Sequence, residues 1–280
     1  MLNFVLKYAQ YHDMKNVKMV VTDMDGTLLN SNHEVSSKFF EIFDHLNQQN
    51  IIFVAASGRP YYSIVDKLQT IKNHITIVAE NGGLVIQNDE ILLSNSINHQ
   101  KLSNLFDLVT TIKNSHPLFC TRHRAYIRRT SIELIQLFSE YYSNYSVIDS
   151  VEEIEGEVIK IALYNDTNSE AYIYPFVKHI DTDFNVVVSG NHWVDISDFT
   201  TNKGNAIKFL QSHHNISPSE TMAFGDYNND FEMLQLATYS YAMANAHDAI
   251  KAVANYQTKS NDELGVELIL EQLVTKNGKY

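Results

Sequence analysis

The chain reads Val20-Val21-Thr22-Asp23-Met24-Asp25-Gly26-Thr27-Leu28-Leu29 near its amino-terminal end, where an apolar run stops at two carboxylates. The run is β-branched and apolar enough for a central strand of a parallel sheet. Gly26 permits the sharp turn that would direct both acids away from the carboxyl end of that strand. Open α/β sheets bind their ligands at that end. This stretch therefore predicts a buried strand that ends in an acidic loop.

The two carboxylates of this loop, Asp23 and Asp25, should point the same way because side chains alternate along an extended chain. At about 4 Å and an effective dielectric constant near 20, two like charges repel each other by about 4 kcal/mol. A bound cation or a shared proton relieves such repulsion. A polar turn without any ligand is the alternative interpretation of an isolated Asp-x-Asp-Gly sequence.

Composition limits the classes of protein and partner. The chain has 280 residues, 44% of them hydrophobic, which is enough for a sizeable core and favours two domains. Lys and Arg total 21 against 33 Asp and Glu, a net charge of −12. So acidic a surface disfavours nucleic acid and anionic membranes as partners.

Cellular location is predicted from the cysteine content and from the apolar segments. The single cysteine, Cys120, excludes an internal disulfide and fits a reducing compartment. No segment approaches the roughly 18 apolar residues of a membrane span, and the first residues lack the features of a secretory signal. We therefore predict a cytoplasmic protein. Residues 1–13, which precede Met14, are interpreted either as an extension or as a short added helix.

A strand followed by a small polar loop recurs along the chain. Residues 51–56 and 75–79 read as buried strands that end at Ser57-Gly58-Arg59-Pro60 and at Glu80-Asn81-Gly82, and residues 221–224 lead into Gly225-Asp226. Helical patterns separate these strands, which indicates a parallel sheet with right-handed crossovers. The predicted fold class is α/β, with a Rossmann-like, doubly wound parallel-sheet core.

An insertion interrupts this α/β pattern. Residues 84–93 read as a hairpin, and a mixture of helices and strands follows, including a continuous helix predicted for residues 169–179. We predict an inserted α+β cap domain at residues 84–196, and a core made of residues 1–83 and 197–280. The insertion carries a basic cluster that we interpret as the solvent-exposed face of the cap sheet, with contact to an anionic substrate as the alternative: Arg122, His123, Arg124, Arg128 and Arg129.

The polar loops should converge although they are far apart in sequence. The carboxyl ends of parallel strands meet at one edge, so Asp23, Asp25, Ser57 and Asp226 are expected there together. Lys203 stands at the start of a predicted helix, where a cation is disfavoured by the helix dipole. A lysine in that place suggests a bound anion, with the amides of the helix N-terminus contributing to its binding.

Four motifs, in this order and spacing, resemble those of the haloacid dehalogenase (HAD) superfamily. They are Asp-Met-Asp-Gly-Thr-Leu at 23–28, Ser-Gly-Arg-Pro at 57–60, Asn-Lys-Gly at 202–204 and Gly-Asp-Tyr-Asn-Asn-Asp at 225–230. The resemblance covers the chain from Val17 onward. The insertion resembles the type 2 cap of the Cof-like phosphatases, the HAD-IIB subfamily, which Asn81-Gly82 and residues 258–261 also match.

The resemblance implies a role for each motif residue. Asp23 would be the nucleophile that forms an aspartyl-phosphate, and Asp25 the general acid and then the general base. Mg²⁺ would be held by the Asp23 carboxylate, the Asp25 backbone carbonyl and Asp226. Thr27 and Asp230 would not bind the ion themselves but would support the residues that do. The phosphoryl oxygens would be held by the Met24 and Gly58 amides and by the side chains of Ser57, Lys203 and Asn229.

The implied function is a Mg²⁺-dependent phosphomonoester hydrolase of a small metabolite. A sugar phosphate is expected first, with flavin mononucleotide (FMN) or pyridoxal phosphate next, and the protein is expected to be a monomer or weak homodimer. Three alternatives stay open: a phosphomutase, a signalling receiver that is phosphorylated, and a binding protein without hydrolytic turnover. Dehalogenase chemistry is disfavoured because it does not need Asp25 or Asp226.

Overall fold

The computed structural model of the chain describes residues 14–277, with side chains to residue 275. The interpretation of residues 1–13 therefore lies outside the described residues. The described chain forms two compact units. The first unit comprises residues 14–56, 74–76 and 207–277, and the second comprises Ser57–Asn73 and Ile77–Ala206.

Strands and helices alternate through much of the described chain. The strands are β1 Met19–Asp23, β2 Ile52–Ala56, β3 Thr76–Ala79, β4 Leu84–Gln87, β5 Glu90–Ser94, β6 His116–Thr121, β7 Ala125–Arg128, β8 Tyr145–Ile148, β9 Val158–Tyr164, β10 Phe184–Gly190, β11 Trp193–Asp198, β12 Thr221–Gly225, β13 Tyr239–Ala242 and β14 Tyr256–Gln257. The helices are α1 Ser37–Gln48, α2 Tyr61–Leu68, α3 His99–Thr111, α4 Ile132–Ser139, α5 Ser169–Tyr172, α6 Tyr174–Val177, α7 Lys203–His214, α8 Phe231–Gln235, α9 Asp248–Val253 and α10 Gly265–Asn277.

The first unit contains parallel strands in the order β14-β13-β12-β1-β2. Every residue of β1 is buried, as expected for a central strand of a parallel sheet. Helix α1 is capped by the Ser36 hydroxyl, which accepts from the Phe39 amide at 3.0 Å. The Phe39 and Phe43 rings then pack on Phe53 of β2, with centroids 5.1 and 5.9 Å away. This packing holds α1 on the sheet.

The second unit combines β3-β4-β5 with a six-stranded sheet of order β10-β11-β9-β6-β7-β8. The six-stranded sheet is antiparallel except for the parallel pair β7 and β8. Its central strand β9 is buried along its whole length and contains one charged residue, Lys160. The predicted hairpin is present, with β4 and β5 paired antiparallel.

The predicted α/β class with a Rossmann-like core is confirmed. The proposed domain boundaries at 83/84 and 196/197 both fall inside the second unit, and the assignment of residues 84–196 to a cap stays a prediction. The continuous helix predicted for residues 169–179 is wrong, because α5 ends at Tyr172 and α6 starts at Tyr174. Pro175 stands in the first turn of α6, where its missing amide is tolerated but would interrupt a longer helix.

None of the helices within residues 14–277 combines the length and the apolar character that crossing a bilayer requires.

At acidic pH, the free energy of unfolding should depend in part on Glu220, which precedes β12. Hydrogen bonds from Lys18, and then from Ser217, lower the pKa of Glu220 from 4.5 to about 2. A depressed pKa in the folded state contributes stability above the unfolded pKa, and this contribution is lost as the pH falls toward 2. We expect Glu220→Gln to be less stable than the wild type at pH 7 in urea unfolding, with the gap closing between pH 4.5 and 2.

The matched control is Glu41→Gln, which changes an exposed glutamate of α1. A gap between wild type and Glu220→Gln that stays constant down to pH 2 would contradict this assignment.

Candidate active site

Three acids meet in the first unit. Asp23 ends β1, Asp226 follows β12, and Asp230 lies in the short 3-10 turn Asn228–Asp230. One carboxylate oxygen from each lies within 4.8 Å of the others, and Asp23 and Asp230 are buried. The parallel pairing of β1 with β12 produces this arrangement, since both strands point their carboxyl ends the same way. A set made only of carboxylates fits a hard divalent cation that prefers oxygen ligands.

Gly26 and Thr27 place the carboxylate of Asp226. Gly26 has φ +74°, and a Cβ atom there would lie 2.3 Å from Oδ2 of Asp226, so only glycine leaves room for that acid. The Thr27 hydroxyl donates a hydrogen bond to Oδ1 of Asp226 at 3.1 Å. The turn after the first acid therefore positions an acid that lies 199 residues away in sequence.

Asp230 holds the loop that carries Asp226. Its Oδ2 accepts from the backbone amides of Asp226 at 2.9 Å and Tyr227 at 3.2 Å. Gly225 again leaves the necessary room, because a Cβ there would lie 2.6 Å from the Asp230 side chain. Asp230 is thus both a member of the acidic cluster and the acceptor that orders the turn around it. Asn229 lies in the same turn and is partly exposed.

Met24 and Asp25 follow Asp23 directly and lead into the turn at Gly26. Met24 is fully buried, and its carbonyl accepts from the Leu29 amide at 2.8 Å, which closes the loop back on β1. The Asp25 side chain is 37% exposed, and its Oδ1 lies 3.3 Å from Nδ1 of His33. Asp25 is therefore open to solvent on one side and faces an imidazole on the other.

The second unit holds Ser57 and Gly58 in a loop that is ordered by β3 and by the residues after it. The Ser57 amide donates to the Val78 carbonyl at 2.8 Å, and the Ser57 carbonyl accepts from the Asn81 amide at 3.0 Å. The Ser57 hydroxyl accepts from the Arg59 amide at 3.0 Å. Because a hydroxyl also carries a proton, it can donate to a phosphoryl oxygen while it accepts from Arg59.

Lys203 begins α7 and is fully buried. The preceding residue, Asn202, caps this helix, since its Oδ1 accepts from the Asn205 amide at 2.7 Å. Gly82 packs against the same backbone with φ +96°, and a Cβ there would lie 2.4 Å from the Asn202 carbonyl. The loop after β3 and the start of α7 are thus in contact within the second unit.

The first unit brings together Asp23, Asp226, Asp230 and Thr27. Ser57, Gly58 and Lys203 belong to the second unit, where the loop after β3 contacts both the Ser57-Gly58 loop and the residue before Lys203. The convergence of these three residues with the acids stays a prediction.

Lys160 is a buried charge that the sequence interpretation did not single out. Its Nζ donates to the Gly58 carbonyl, lies 2.8 Å from Oε2 of Glu80 and 3.7 Å from Oδ2 of Asp195. Asp195 in turn accepts from the Asn81 side chain. These contacts tie the Ser57-Gly58 loop, the loop after β3 and the six-stranded sheet into one polar network.

The charges of this network depend on one another. Burial raises the pKa of Glu80, and Lys160 offsets part of that rise. Burial disfavours the charged form of Lys160, but Asp195 and Glu80 outweigh it and raise the lysine pKa above its ordinary value. Glu80 and Asn81 have φ of +52° and +56°, a conformation that few residues other than glycine adopt. Strained backbone of this kind concentrates at functional loops.

The sequence did contain signals for this network. Lys160 interrupts an otherwise apolar strand, Val158-Ile159-Lys160-Ile161, and Asp195 does the same in Trp193-Val194-Asp195-Ile196. A charge in the middle of a buried strand needs a partner, which would have pointed to both residues.

Two other features found in the sequence have structural roles. Arg129 of the basic cluster binds both oxygens of Asp149, with Nε–Oδ1 at 2.8 Å and Nη2–Oδ2 at 2.9 Å. Cys120 is buried, and burial raises the pKa of its thiol well above the ordinary value, so it is a poor nucleophile.

Comparison with known proteins assigns the family. The family model of the haloacid dehalogenase-like hydrolases matches residues 20–270. The chain belongs to this family. The resemblance inferred from the four motifs is therefore confirmed.

Relatives of this haloacid dehalogenase-like hydrolase include named phosphatases. It is 28% identical over 268 residues to 5-amino-6-(5-phospho-D-ribitylamino)uracil phosphatase YbjI of Escherichia coli, covering 95% of this chain and 99% of that protein. It is 24% identical to a phosphatase of the same name, YitU of Bacillus subtilis, covering 91% and 96%. Among solved structures, SMU.1108c from Streptococcus mutans matches with a TM-score of 0.87 and 30% identity, covering 92% and 99%. The predicted enzyme class, a phosphatase, agrees with these relatives.

Removing the buried lysine should lower the free energy of unfolding. Lys160→Met leaves Glu80 and Asp195 without their cation, and breaking one side of a buried ion pair costs about 3–5 kcal/mol. We expect a loss of that order in the free energy of unfolding, measured by urea denaturation.

The control is Lys101→Met, which removes an exposed lysine that pairs with Asp183 at 3.0 Å. An exposed pair contributes at most about 1 kcal/mol, so this variant should stay near wild type. Equal losses for the two variants would show that Lys160 does not compensate buried charge.

Proposed function

We propose that this protein is a Mg²⁺-dependent phosphomonoester hydrolase that acts on a small polyhydroxylated metabolite through an aspartyl-phosphate. The observation that carries the proposal is the meeting of Asp23, Asp226 and Asp230 at the ends of β1 and β12, with Asp25 two residues beyond Asp23. Nucleophile, acid and cation ligands are the groups that such hydrolysis requires.

In the first step, Asp23 attacks phosphorus through one carboxylate oxygen. A bond forms between that oxygen and phosphorus while the bond to the leaving oxygen breaks. Asp25 gives its proton to the leaving oxygen, so that an alcohol departs and an aspartyl-phosphate remains. The partial exposure of Asp25 supports this role, since an acid that turns over must exchange its proton.

In the second step, Asp25 takes a proton from water as the water oxygen attacks the phosphorus of the aspartyl-phosphate. The bond between phosphorus and the Asp23 oxygen breaks, orthophosphate leaves, and both carboxyl groups return to their starting states.

Mg²⁺ would be held by Asp23, Asp226 and the Asp25 carbonyl. Asp230 would support these ligands without binding the ion itself. When bound, this ion neutralises the charge of the acids and of the phosphoryl oxygens. Thr27 and Asp230 keep Asp226 and its loop in place through the contacts described above.

In this proposal the phosphoryl oxygens are bound by Ser57, Gly58, Met24, Lys203 and Asn229. Chain connectivity supports the role of Ser57, because it directly follows Ala56, the register partner of Asp23. The role of Lys203 is supported by its place at the start of α7, where a lysine fits poorly with the helix dipole unless an anion lies beside it. A helix N-terminus adds amides that favour the same anion.

The names of two relatives support the proposed substrate class. Two phosphatases that match almost the whole chain are named for 5-amino-6-(5-phospho-D-ribitylamino)uracil, in which the phosphate ends a polyol chain. We propose a phosphate monoester on such a chain as the substrate, with sugar phosphates, FMN and pyridoxal phosphate as further candidates. A cytoplasmic location belongs to the proposal and fits the single cysteine, Cys120.

Asp23→Asn should abolish phosphate release. An amide is a far weaker nucleophile than a carboxylate, so we expect kcat to fall by at least about 10³-fold. The assay measures orthophosphate from p-nitrophenyl phosphate, 5-amino-6-(5-phospho-D-ribitylamino)uracil, FMN, D-ribose 5-phosphate, D-glucose 6-phosphate and pyridoxal phosphate. Asp107→Asn, a change on the exposed face of α3, is the control.

Equal rates for Asp23→Asn and wild type would remove Asp23 from its role. Transfer of phosphate back to the sugar without release would favour a phosphomutase. Stable phosphorylation of Asp23 without release would favour a protein that is phosphorylated but does not turn over.

Mg²⁺ should stabilise the folded protein through the three acids. A ligand that binds only the folded state at a hundred times its Kd adds about 2.7 kcal/mol, so we expect a concentration-dependent rise of Tm that a chelator reverses. Asp226→Asn keeps an oxygen for Thr27 but removes a charge, and the rise should shrink or vanish. Asp107→Asn should retain it. An unchanged rise in Asp226→Asn would place the cation elsewhere.

A further inference from the structure

The imidazole that faces Asp25 has no role in the chemistry described so far. Nδ1 of His33 lies 3.3 Å from Oδ1 of Asp25, and the two side chains are similarly exposed, at 38% and 37%. We propose that His33 is a positioning residue that orients the Asp25 carboxyl group toward the leaving oxygen. This inference rests on the proposed function, because it concerns how the acid of that reaction is held.

The contact restricts which oxygen of Asp25 transfers the proton. The proposed role requires the imidazole to carry a proton on Nδ1, so that His33 donates to Oδ1, which accepts. A donor at Oδ1 favours placing the proton of the carboxylic acid on Oδ2 and restrains rotation of the carboxyl group. An acid whose proton is held on one oxygen and in one direction is pre-organised for transfer.

The backbone around His33 forms a closed turn. Oδ1 of Asn30 accepts from the amides of Asn32 at 2.9 Å and Glu34 at 3.0 Å, and the Asn30 carbonyl accepts from the His33 amide at 2.9 Å. His33 itself has φ +57° in this turn. The backbone that carries the imidazole is thus ordered by hydrogen bonds to Asn30.

The segment between Asp25 and this turn is fastened to two distant loops of the same unit. Asn245 donates to the Gly26 carbonyl at 2.8 Å, and Asn261 donates to the Leu29 carbonyl at 2.9 Å. Asp262 accepts from the Ser31 amide at 2.8 Å and from the Ser31 hydroxyl at 2.5 Å. These hydrogen bonds therefore fix the position of the loop that carries Asp25 relative to the turn that carries His33.

Stability alone does not explain this contact. Exposed ion pairs contribute at most about 1 kcal/mol, and a non-glycine residue at positive φ offsets part of that gain. The contact with Asp25 therefore gives the fold little stability, whereas its distance of 3.3 Å places the imidazole next to the reacting acid. This difference makes the proposal testable by substitution.

Two variants separate the imidazole from the backbone conformation. His33→Gly removes the donor and adopts positive φ without strain, so the fold should be retained. His33→Asn also tolerates positive φ, and its side-chain amide offers a donor close to the position of Nδ1. Equal Tm values for both variants and the wild type verify that the turn is intact.

The readout is kcat/KM for two leaving groups. Departure of a sugar alcohol needs a proton, whereas p-nitrophenolate leaves without one. We expect His33→Gly to lower kcat/KM by about tenfold for the best alkyl phosphate of the panel above, part of the roughly 10²–10⁴-fold that a positioned acid contributes. For p-nitrophenyl phosphate the loss should stay below about threefold, and His33→Asn should recover most of the rate.

Equal losses on both substrates, or none on the alkyl phosphate, would overturn the proposal. In an Asp25→Asn background, His33→Gly should cause no further loss with p-nitrophenyl phosphate, because His33 acts through Asp25. A further loss there would assign His33 a direct contact with substrate and also overturn it. A wild-type protein that hydrolyses no phosphate monoester would reject the proposed function itself, which is a different result.

Discussion

The parallel pairing of β1 with its two neighbours is the constraint on which the candidate site depends. Asp23 is in register with Ala56 of β2, and Thr22 is in register with Phe224 of β12, so these three strands end at nearly the same level of the sheet. A shift by one residue would turn Asp23 to the opposite face. Burial of all five β1 residues makes that shift costly, because it would exchange the side chains that pack on each face.

The acids nevertheless repel one another, and the fold supplies local means to hold them. Two like charges about 4 Å apart repel by about 4 kcal/mol near a protein surface. Gly26 and Gly225 provide space for carboxylates that a Cβ atom would occupy, and the Thr27 hydroxyl and the backbone amides donate to them. These donors offset part of the repulsion before any cation binds. The acidic cluster is therefore held in place by the turns of the chain.

Sequence reasoning found the strands and the acidic loops because their signals are local. Apolar runs that end at Asp, Ser or Gly predict a strand and its terminal loop, and parallel pairing then brings Asp23 and Asp226 together. Sequence reasoning missed contacts between residues that are far apart in the chain. Nothing in the sequence near Lys160 indicates that Gly58, 102 residues earlier, accepts a hydrogen bond from it, and Asn245 reads as an ordinary loop residue. Pro175 was a local signal that the helical pattern around it outweighed.

The buried lysine shows why such long-range contacts bear on function. Hydrophobic residues can replace a buried ion pair at little cost or even with a gain in stability, so burial of Lys160, Glu80 and Asp195 is a poor means of stabilising a sheet. What a hydrophobic residue cannot do is donate to the Gly58 carbonyl. That hydrogen bond fixes the peptide next to Ser57, and the two residues at positive φ after β3 are held by the same network. The network therefore gives the loop a defined geometry rather than added stability, which fits the phosphoryl-binding role proposed for Ser57 and Gly58.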